Sequence, residues 1–238
     1  MPCWNRLSIE LTNIRKSYGS QVVLPDLSLS VGRGEIVGFL GPNGAGKSTT
    51  MKIITGFLKA DSGSVKVCGI DVTAEPIEAK RHIGYLPEHN PLYTDMYVKE
   101  YLDFTADVYS LPSKRERIDE VICLTGLQNE YKKTIGSLSK GYRQRVGLAA
   151  AIIHNPDVLI LDEPTTGLDP NQILEIRELI QNFGKERTVL LSTHIMQEVE
   201  AVCQRFVILR RGEIVADRSV ADIEKGSLEV LFRQLTSN

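Results

Sequence analysis

The apolar run Ile36-Val37-Gly38-Phe39-Leu40 passes directly into Gly41-Pro42-Asn43-Gly44-Ala45-Gly46-Lys47-Ser48-Thr49. The run has no polar alternation, which is the pattern of a strand buried on both faces. The stretch after it, Thr49 to Phe57, reads as helix. A glycine loop held between a buried strand and a helix is the setting a phosphate loop requires. Glycines at 41, 44 and 46 let successive backbone N–H groups turn inward around phosphate oxygens. The helix start near Gly46 adds the equivalent of about half a positive charge. Lys47 has the length to reach β- and γ-phosphates, and the Ser48 hydroxyl suits Mg2+.

The rest of the chain extends that fold. Residues 7 to 31 alternate apolar and polar around turns at Tyr18-Gly19-Ser20 and Gly32-Arg33-Gly34, predicting antiparallel strands. Val158 to Leu161 and Val189 to Leu191 repeat the doubly buried pattern of Ile36 to Leu40. Between them Val98, Tyr101, Leu102 and Thr105, then Ile118, Val121 and Ile122, fall at helical spacing, with Pro112 separating two helices. The expected fold class is α/β. It has a P-loop NTPase-type parallel core sheet, an N-terminal antiparallel β subdomain and an inserted helical lobe. The expected division is a single domain over residues 1–238, with core 1–89 and 156–238 and a helical lobe at about 90–155. Phe206 to Leu209 and Glu213 to Ala216 flank Arg211-Gly212 as a hairpin. Leu228, Leu231, Phe232 and Leu235 give a final amphipathic helix expected to pack on the core.

Composition limits the partners. With 42% hydrophobic residues, 24% charged residues and a net charge of -2, the 238-residue chain fits an ordinary globular protein and offers no bulk attraction for nucleic acid. Cys3, Cys68, Cys123 and Cys203 form no Cys-x-x-Cys pair, so reduced thiols in a cytosolic compartment are the simplest account. Met1 to Arg6 opens no apolar signal region. No apolar run approaches the roughly 18 to 20 residues needed to cross a bilayer, so a membrane role must come through a partner.

Further residues carry chemistry. Asp162 and Glu163 end the buried run at Val158, where ligands of open α/β sheets bind. Asp162 suits the Mg2+ shell, directly or through water, and Glu163 is placed to polarise a water for in-line attack on a γ-phosphate. His194 follows another buried strand and is a candidate sensor of that phosphate, whereas His82, His89 and His154 read as structural. Tyr18 before Gly19 has a ring able to stack on adenine, and equally reads as an exposed turn tyrosine. Leu138-Ser139-Lys140-Gly141-Tyr142-Arg143-Gln144-Arg145 starts a second helix of phosphate-binding character. Ser139 there is either an N-cap or a phosphate ligand, and spacing does not separate the two.

Together these motifs resemble the nucleotide-binding subunit of an ATP-binding cassette (ABC) transporter, over essentially the whole chain. Walker A matches Gly41 to Thr49, the signature Leu138 to Tyr142, and Walker B with its glutamate Leu159 to Glu163. The D-loop matches Gly167-Leu168-Asp169-Pro170, and the switch histidine matches His194. The resemblance implies an ATPase in which two cassettes hold two ATP molecules head to tail. Ser139 and Gly141 of one chain then meet the γ-phosphate held by Lys47 of the other, and Asp169 joins the nucleotide-facing set. It implies a second copy and an integral-membrane permease as partners. It also implies ATP and Mg2+ as cofactors, and a cytoplasmic location on the inner face of the membrane through the permease.

Three positions depart from the family. Glu88 stands where glutamine is usual, and Lys140 and Tyr142 stand where glycine and glutamine are usual. Glu88 belongs to the nucleotide-facing set by position. Its negative charge beside a phosphate assigns it to the partner interface rather than to the metal. These variants resemble the drug- and lipid-export branch. Within it, Tyr85-Leu86-Pro87-Glu88-His89-Asn90-Pro91-Leu92-Tyr93 and the signature are similar to the subunit associated with bacterial gliding motility. An importer subunit is the runner-up. A soluble cassette ATPase is disfavoured by the single phosphate loop and the lack of sustained heptads. A kinase or GTPase is disfavoured by the missing Asn-Lys-x-Asp motif and by the unexplained 138–145 segment.

Overall fold

The computed structural model describes residues 7–237; Cys3 and the Met1–Arg6 opening lie outside the described residues. β1 (Leu7–Tyr18) and β2 (Gln21–Gly32) form an antiparallel hairpin that leads into β3 (Ile36–Leu40) and α1 (Lys47–Ile54). β4 (Ser62–Val67), β5 (Ile70–Asp71), α2 (Pro76–Arg81) and β6 (Ile83–Leu86) follow. The helices α3 (Val98–Val108), α4 (Lys114–Leu124) and α5 (Lys140–Ile152) come next, then β7 (Val158–Asp162). The chain closes with α6 (Pro170–Gly184), β8 (Thr188–Ser192), α7 (Met196–Val202), β9 (Arg205–Arg210), β10 (Glu213–Ser219) and α8 (Leu228–Thr236).

Two sheets result. The first runs β2-β1-β4-β5 and is antiparallel; the second runs β10-β9-β3-β8-β7-β6. In the second, β9, β3, β8, β7 and β6 are parallel and only the edge strand β10 is reversed. This is the α/β fold read from the sequence, with its antiparallel sheet, parallel core and helical elements.

The uninterrupted apolar runs have a direct packing cause. Ile36 and Leu40, Leu159 and Leu161, and Phe206 and Ile208 enter one core with the helices α3 to α5. Their neighbours Val37 and Phe39, Val158 and Ile160, and Val207 and Leu209 enter another, formed with α1 and the antiparallel sheet. Each strand feeds two cores, so neither side chain of an alternating pair is free to be polar. Each buried aliphatic contributes about 1.5–3 kcal/mol. α8 packs back as the apolar periodicity predicts, with Leu228 fully buried and Leu231, Phe232 and Leu235 half-buried against the first core.

One predicted helix is shorter than its pattern. α1 ends at Ile54 and not at Phe57, because Gly56 turns the chain at φ 66° and the Phe57 and Leu58 amides both donate to the Lys52 carbonyl. Phe57 is left 77% exposed. β6 has no counterpart in the sequence reading. It is only four residues long and contains Gly84, where a Cβ would collide with the Ala151 carbonyl of α5.

Candidate functional site

Parallel strands deliver their C-terminal ends to one edge, and that edge collects the chemistry. β3 ends at Leu40 and releases the glycine loop; β7 ends in Asp162; β8 ends at Ser192, two residues before His194. The register pairs Asp162 with Ser192 and Phe39 with Ser192, so the three exits lie at one level. β6 ends at Leu86, two residues before Glu88.

The loop's shape depends on its glycines. Gly44 and Gly46 take φ of 80° and 107°, and Gly46 occupies the N-cap of α1. A Cβ at Gly46 would come within 2.7 Å of the Leu24 side chain. The Ala45 amide donates to the Pro42 carbonyl at 3.1 Å, and the Gly212 amide anchors the loop through the Ala45 carbonyl at 2.9 Å. Lys47 is 8% exposed, with its ammonium donating to the Gly41 carbonyl at 2.7 Å and the Pro42 carbonyl at 3.3 Å. Burial lowers its pKa, and the carboxylates of Glu163, Asp162 and Glu88 oppose that shift.

Gly46→Ala tests this reading of the loop. Left-handed strain and the Leu24 contact together are expected to cost about 1–3 kcal/mol. Thermal denaturation should then show a midpoint roughly 2–12 °C lower, with nucleotide affinity falling alongside. An unchanged midpoint would mean that the loop relaxes freely.

A cavity of about 740 Å³ opens over the loop, lined by residues 41–49 together with Glu88, Asp162, Glu163, Thr166 and His194. This volume suits a ligand of nucleotide size. Asp162 is 2% exposed, and its Oδ1 atom has no hydrogen-bond partner. A buried carboxylate oxygen without a partner is costly unless a cation or water meets it. With the Ser48 hydroxyl on the same cavity, the donor set is all oxygen, as Mg2+ requires.

Glu163 sits at φ 52°, an uncommon conformation for a side chain of its size. Its amide donates to the Ser192 carbonyl at 3.0 Å, which holds the turn. His194 Nδ1 lies 2.7 Å from Glu163 Oε2, and the Thr166 hydroxyl donates to the same oxygen at 3.2 Å. A carboxylate only accepts, so the histidine proton belongs on Nδ1. Strain of about 1–3 kcal/mol at such a residue is the kind stored where orientation matters. Thr166 has no signal in the sequence, since nothing in its spacing announces a contact with Glu163.

Other candidate residues fall elsewhere. Tyr18 is half-exposed at the hairpin end, with the Lys16 ammonium 5.9 Å from its ring centroid. It does not line the cavity. Its cross-turn partner Gln21 does, together with Val23 and the α8 residue Phe232. Ser139 caps α5, accepting from the Tyr142 amide at 3.4 Å. Asp169 caps α6, accepting from the Gln172 amide at 3.0 Å, and the Gln172 side chain covers buried Gly141. None of Ser139, Gly141 and Asp169 lines the Lys47 cavity. Within one chain Lys140, Arg143 and Gln144 of the α5 start instead line an adjoining pocket that shares Glu88, Glu163 and Thr166 with that cavity.

Residues 24–166 match the ABC transporter family, and the chain belongs to it. Within that family it is an ATP-binding subunit, an ABC ATPase. It is 38% identical over 230 residues to the bacitracin transport ATP-binding protein BcrA of Bacillus licheniformis, covering 96% of this chain and 75% of that protein. It is also similar to a solved ATP-binding subunit of an ABC transporter, with a TM-score of 0.87 and 32% identity over 95% of this chain and 98% of that one. A third relative is the cassette MJ0796, solved as a dimer in a post-hydrolysis state bound to ADP and Pi. Its TM-score is 0.81 at 25% identity, over 89% of this chain and 98% of that one.

Proposed function

We propose that this subunit hydrolyses ATP in a head-to-tail dimer and thereby drives a separate membrane permease in the export direction. The observation that carries the reading is the division of phosphate-binding parts. One cavity gathers the loop amides, the unpartnered Asp162 Oδ1 and the Glu163–His194 pair, while Ser139 and Gly141 lie outside it. In the proposed assembly a second copy, related by a two-fold axis, brings its Ser139 face to the first copy's cavity; the similar cassette MJ0796 is dimeric.

In this reading residues 41–49 hold the triphosphate, with Lys47 leaving its carbonyl partners for the β- and γ-phosphates. Ser48 and Asp162 hold Mg2+, which when bound offsets phosphate charge. Glu163, steadied through Oε2 by Thr166 and His194, takes the proton of the attacking water. His194 links that carboxylate to the γ-phosphate, and Asp169 positions the D-loop at the interface. Gln21 and Val23 form the outer wall in place of Tyr18. Residues 1–89 and 156–238 act as the core and residues 90–155 as a helical lobe.

A cleft beside the nucleotide cavity supports a permease partner. It is lined by Phe57, Tyr101 and Tyr109, among others, and runs to Ser48, Glu88 and Asp162. A permease segment seated there would touch residues adjoining the catalytic edge. No helix among the described residues is long and apolar enough to cross a membrane. In the proposed arrangement the permease holds this subunit at the cytoplasmic face. A further relative, the Nod factor export ATP-binding protein I of Burkholderia orbicola, 35% identical over 212 residues, favours export. A link to gliding motility is a narrower proposal, resting on Tyr85 to Tyr93 and the signature.

Affinity isolation of the tagged chain from detergent-solubilised membranes tests the assignment. The expected partner is a polytopic membrane protein, recovered several-fold less with Phe57→Asp. Recovery of soluble proteins alone, with both forms behaving alike, would favour a non-transport ATPase.

A further inference from the structure

Three complementary donors meet at the end of the parallel sheet opposite the nucleotide cavity. His82 and Asp157 immediately precede β6 and β7, whose register pairs Ile83 with Val158. Their side chains therefore leave neighbouring strands at one level, with His82 Nδ1 2.7 Å from Asp157 Oδ2. Cys68 reaches the same point from the turn between β4 and β5, at a left-handed φ of 53°. One thiol, one ring nitrogen and one carboxylate oxygen lie within 4.8 Å of one another. We propose that Cys68, His82 and Asp157 bind a transition-metal ion of the zinc type, with water in a fourth position.

The donor set selects the class of ion. Sulfur and imidazole nitrogen suit Zn2+ and its neighbours, whereas Mg2+ and Ca2+ require oxygen. Metal–ligand lengths of about 2.0–2.3 Å place tetrahedral donors roughly 3.3–3.6 Å apart. The His82–Asp157 pair at 2.7 Å needs to open slightly, and the thiol, within 4.8 Å of both partners, to close by at most about 1.5 Å.

The surroundings fit as well. His82 Nε2 lies 3.8 Å from Glu78 Oε1 on α2. With Nδ1 on the ion, the Nε2–H donates toward that carboxylate, the outer contact that fixes a ligating ring. The Asp157 side chain is 47% exposed, which leaves the site open to ions from solvent. Burial, seconded by Asp157, pushes the Cys68 thiol up to about 11 against the opposing charge of Arg33. A cysteine thiol is ordinarily protonated at neutral pH, so binding forms the metal–sulfur bond and releases the thiol proton to solvent. The ion would clamp a turn of the antiparallel sheet to two strands of the core.

The test uses the metal-free full chain, titrated with Co2+ as an optical probe and with Zn2+ by calorimetry in two buffers of different ionisation enthalpy. Co2+ on Ser48 and Asp162 gives no sulfur signal, so thiolate-to-cobalt absorption is diagnostic. The expected result is that absorption at one ion per chain, bleached by Zn2+, with about one proton released per Zn2+. Cys68→Ser and His82→Ala are expected to abolish it, and Glu78→Gln to weaken affinity about 10–100-fold. Absence of the thiolate absorption in the unaltered chain would overturn the proposal, whatever the variants do. So would its survival in Cys68→Ser, which would move the ion to another cysteine such as Cys123.

Discussion

Glu163→Gln is expected to bind ATP, to lose turnover by about 10²–10⁴-fold and to accumulate as an ATP-dependent dimer. That loss corresponds to about 2.7–5.4 kcal/mol of transition-state stabilisation. The substitution is nearly isosteric, and the amide oxygen can still accept from Thr166 and His194 Nδ1, which now meet Glu163 Oε2. The strained backbone at φ 52° is shared by both side chains, so the turn held through the Ser192 carbonyl persists. What disappears is the capacity to take a proton. Lys47 and the loop amides are untouched, and removing one negative charge from the cavity reduces repulsion of the γ-phosphate. Steady-state phosphate release measures the first effect, and size-exclusion chromatography in ATP against ADP measures the second. Hydrolysis near the wild-type rate would remove Glu163 as the general base.

The nucleotide edge was legible in the sequence because doubly buried strands leave unbroken apolar runs. Those runs end where the chemistry begins. Ile36 to Leu40 and Val158 to Leu161 are conspicuous since alternate side chains enter two separate cores. Other parts left no comparable trace. β6 is interrupted by Gly84, a residue demanded by contact with α5 and not by strand propensity. Thr166 acts through a contact three residues back, and the α8 residue Phe232 reaches the cavity from the far end of the chain. The cluster of Cys68, His82 and Asp157 was hidden for a related reason. Its members come from a turn of one sheet and the residues before two strands of the other, where the pairing of β6 with β7 joins His82 and Asp157 and tertiary packing brings in Cys68. Periodicity reports which face of an element is buried, and it is silent on which loops then meet.

Mixing Lys47→Ala chains with Ser139→Arg chains is expected to restore activity that neither variant has alone. In the proposed two-fold dimer each site would combine the Lys47 loop of one copy with the Ser139 face of the other. A mixed dimer therefore has one intact site, made from the Lys47 of the Ser139→Arg chain and the Ser139 of the Lys47→Ala chain. Its other site carries both lesions. Random pairing makes about half of the dimers mixed, so independent sites would recover about one quarter of the wild-type rate per chain. The alternative is that Ser139 serves only its own helix. Its bond to the Tyr142 amide is long, at 3.4 Å, and losing such a cap costs about 0.5–2 kcal/mol. A pure capping role would leave Ser139→Arg homodimers active, provided thermal denaturation shows them folded. Two affinity tags confirm that mixed dimers form, and their ATP-dependent assembly provides a readout independent of turnover. Confirmed mixed dimers without recovered hydrolysis would count against a nucleotide shared between copies. Activity in the Ser139→Arg homodimer would do so more directly, since it would show that the Lys47 cavity completes its chemistry within one chain.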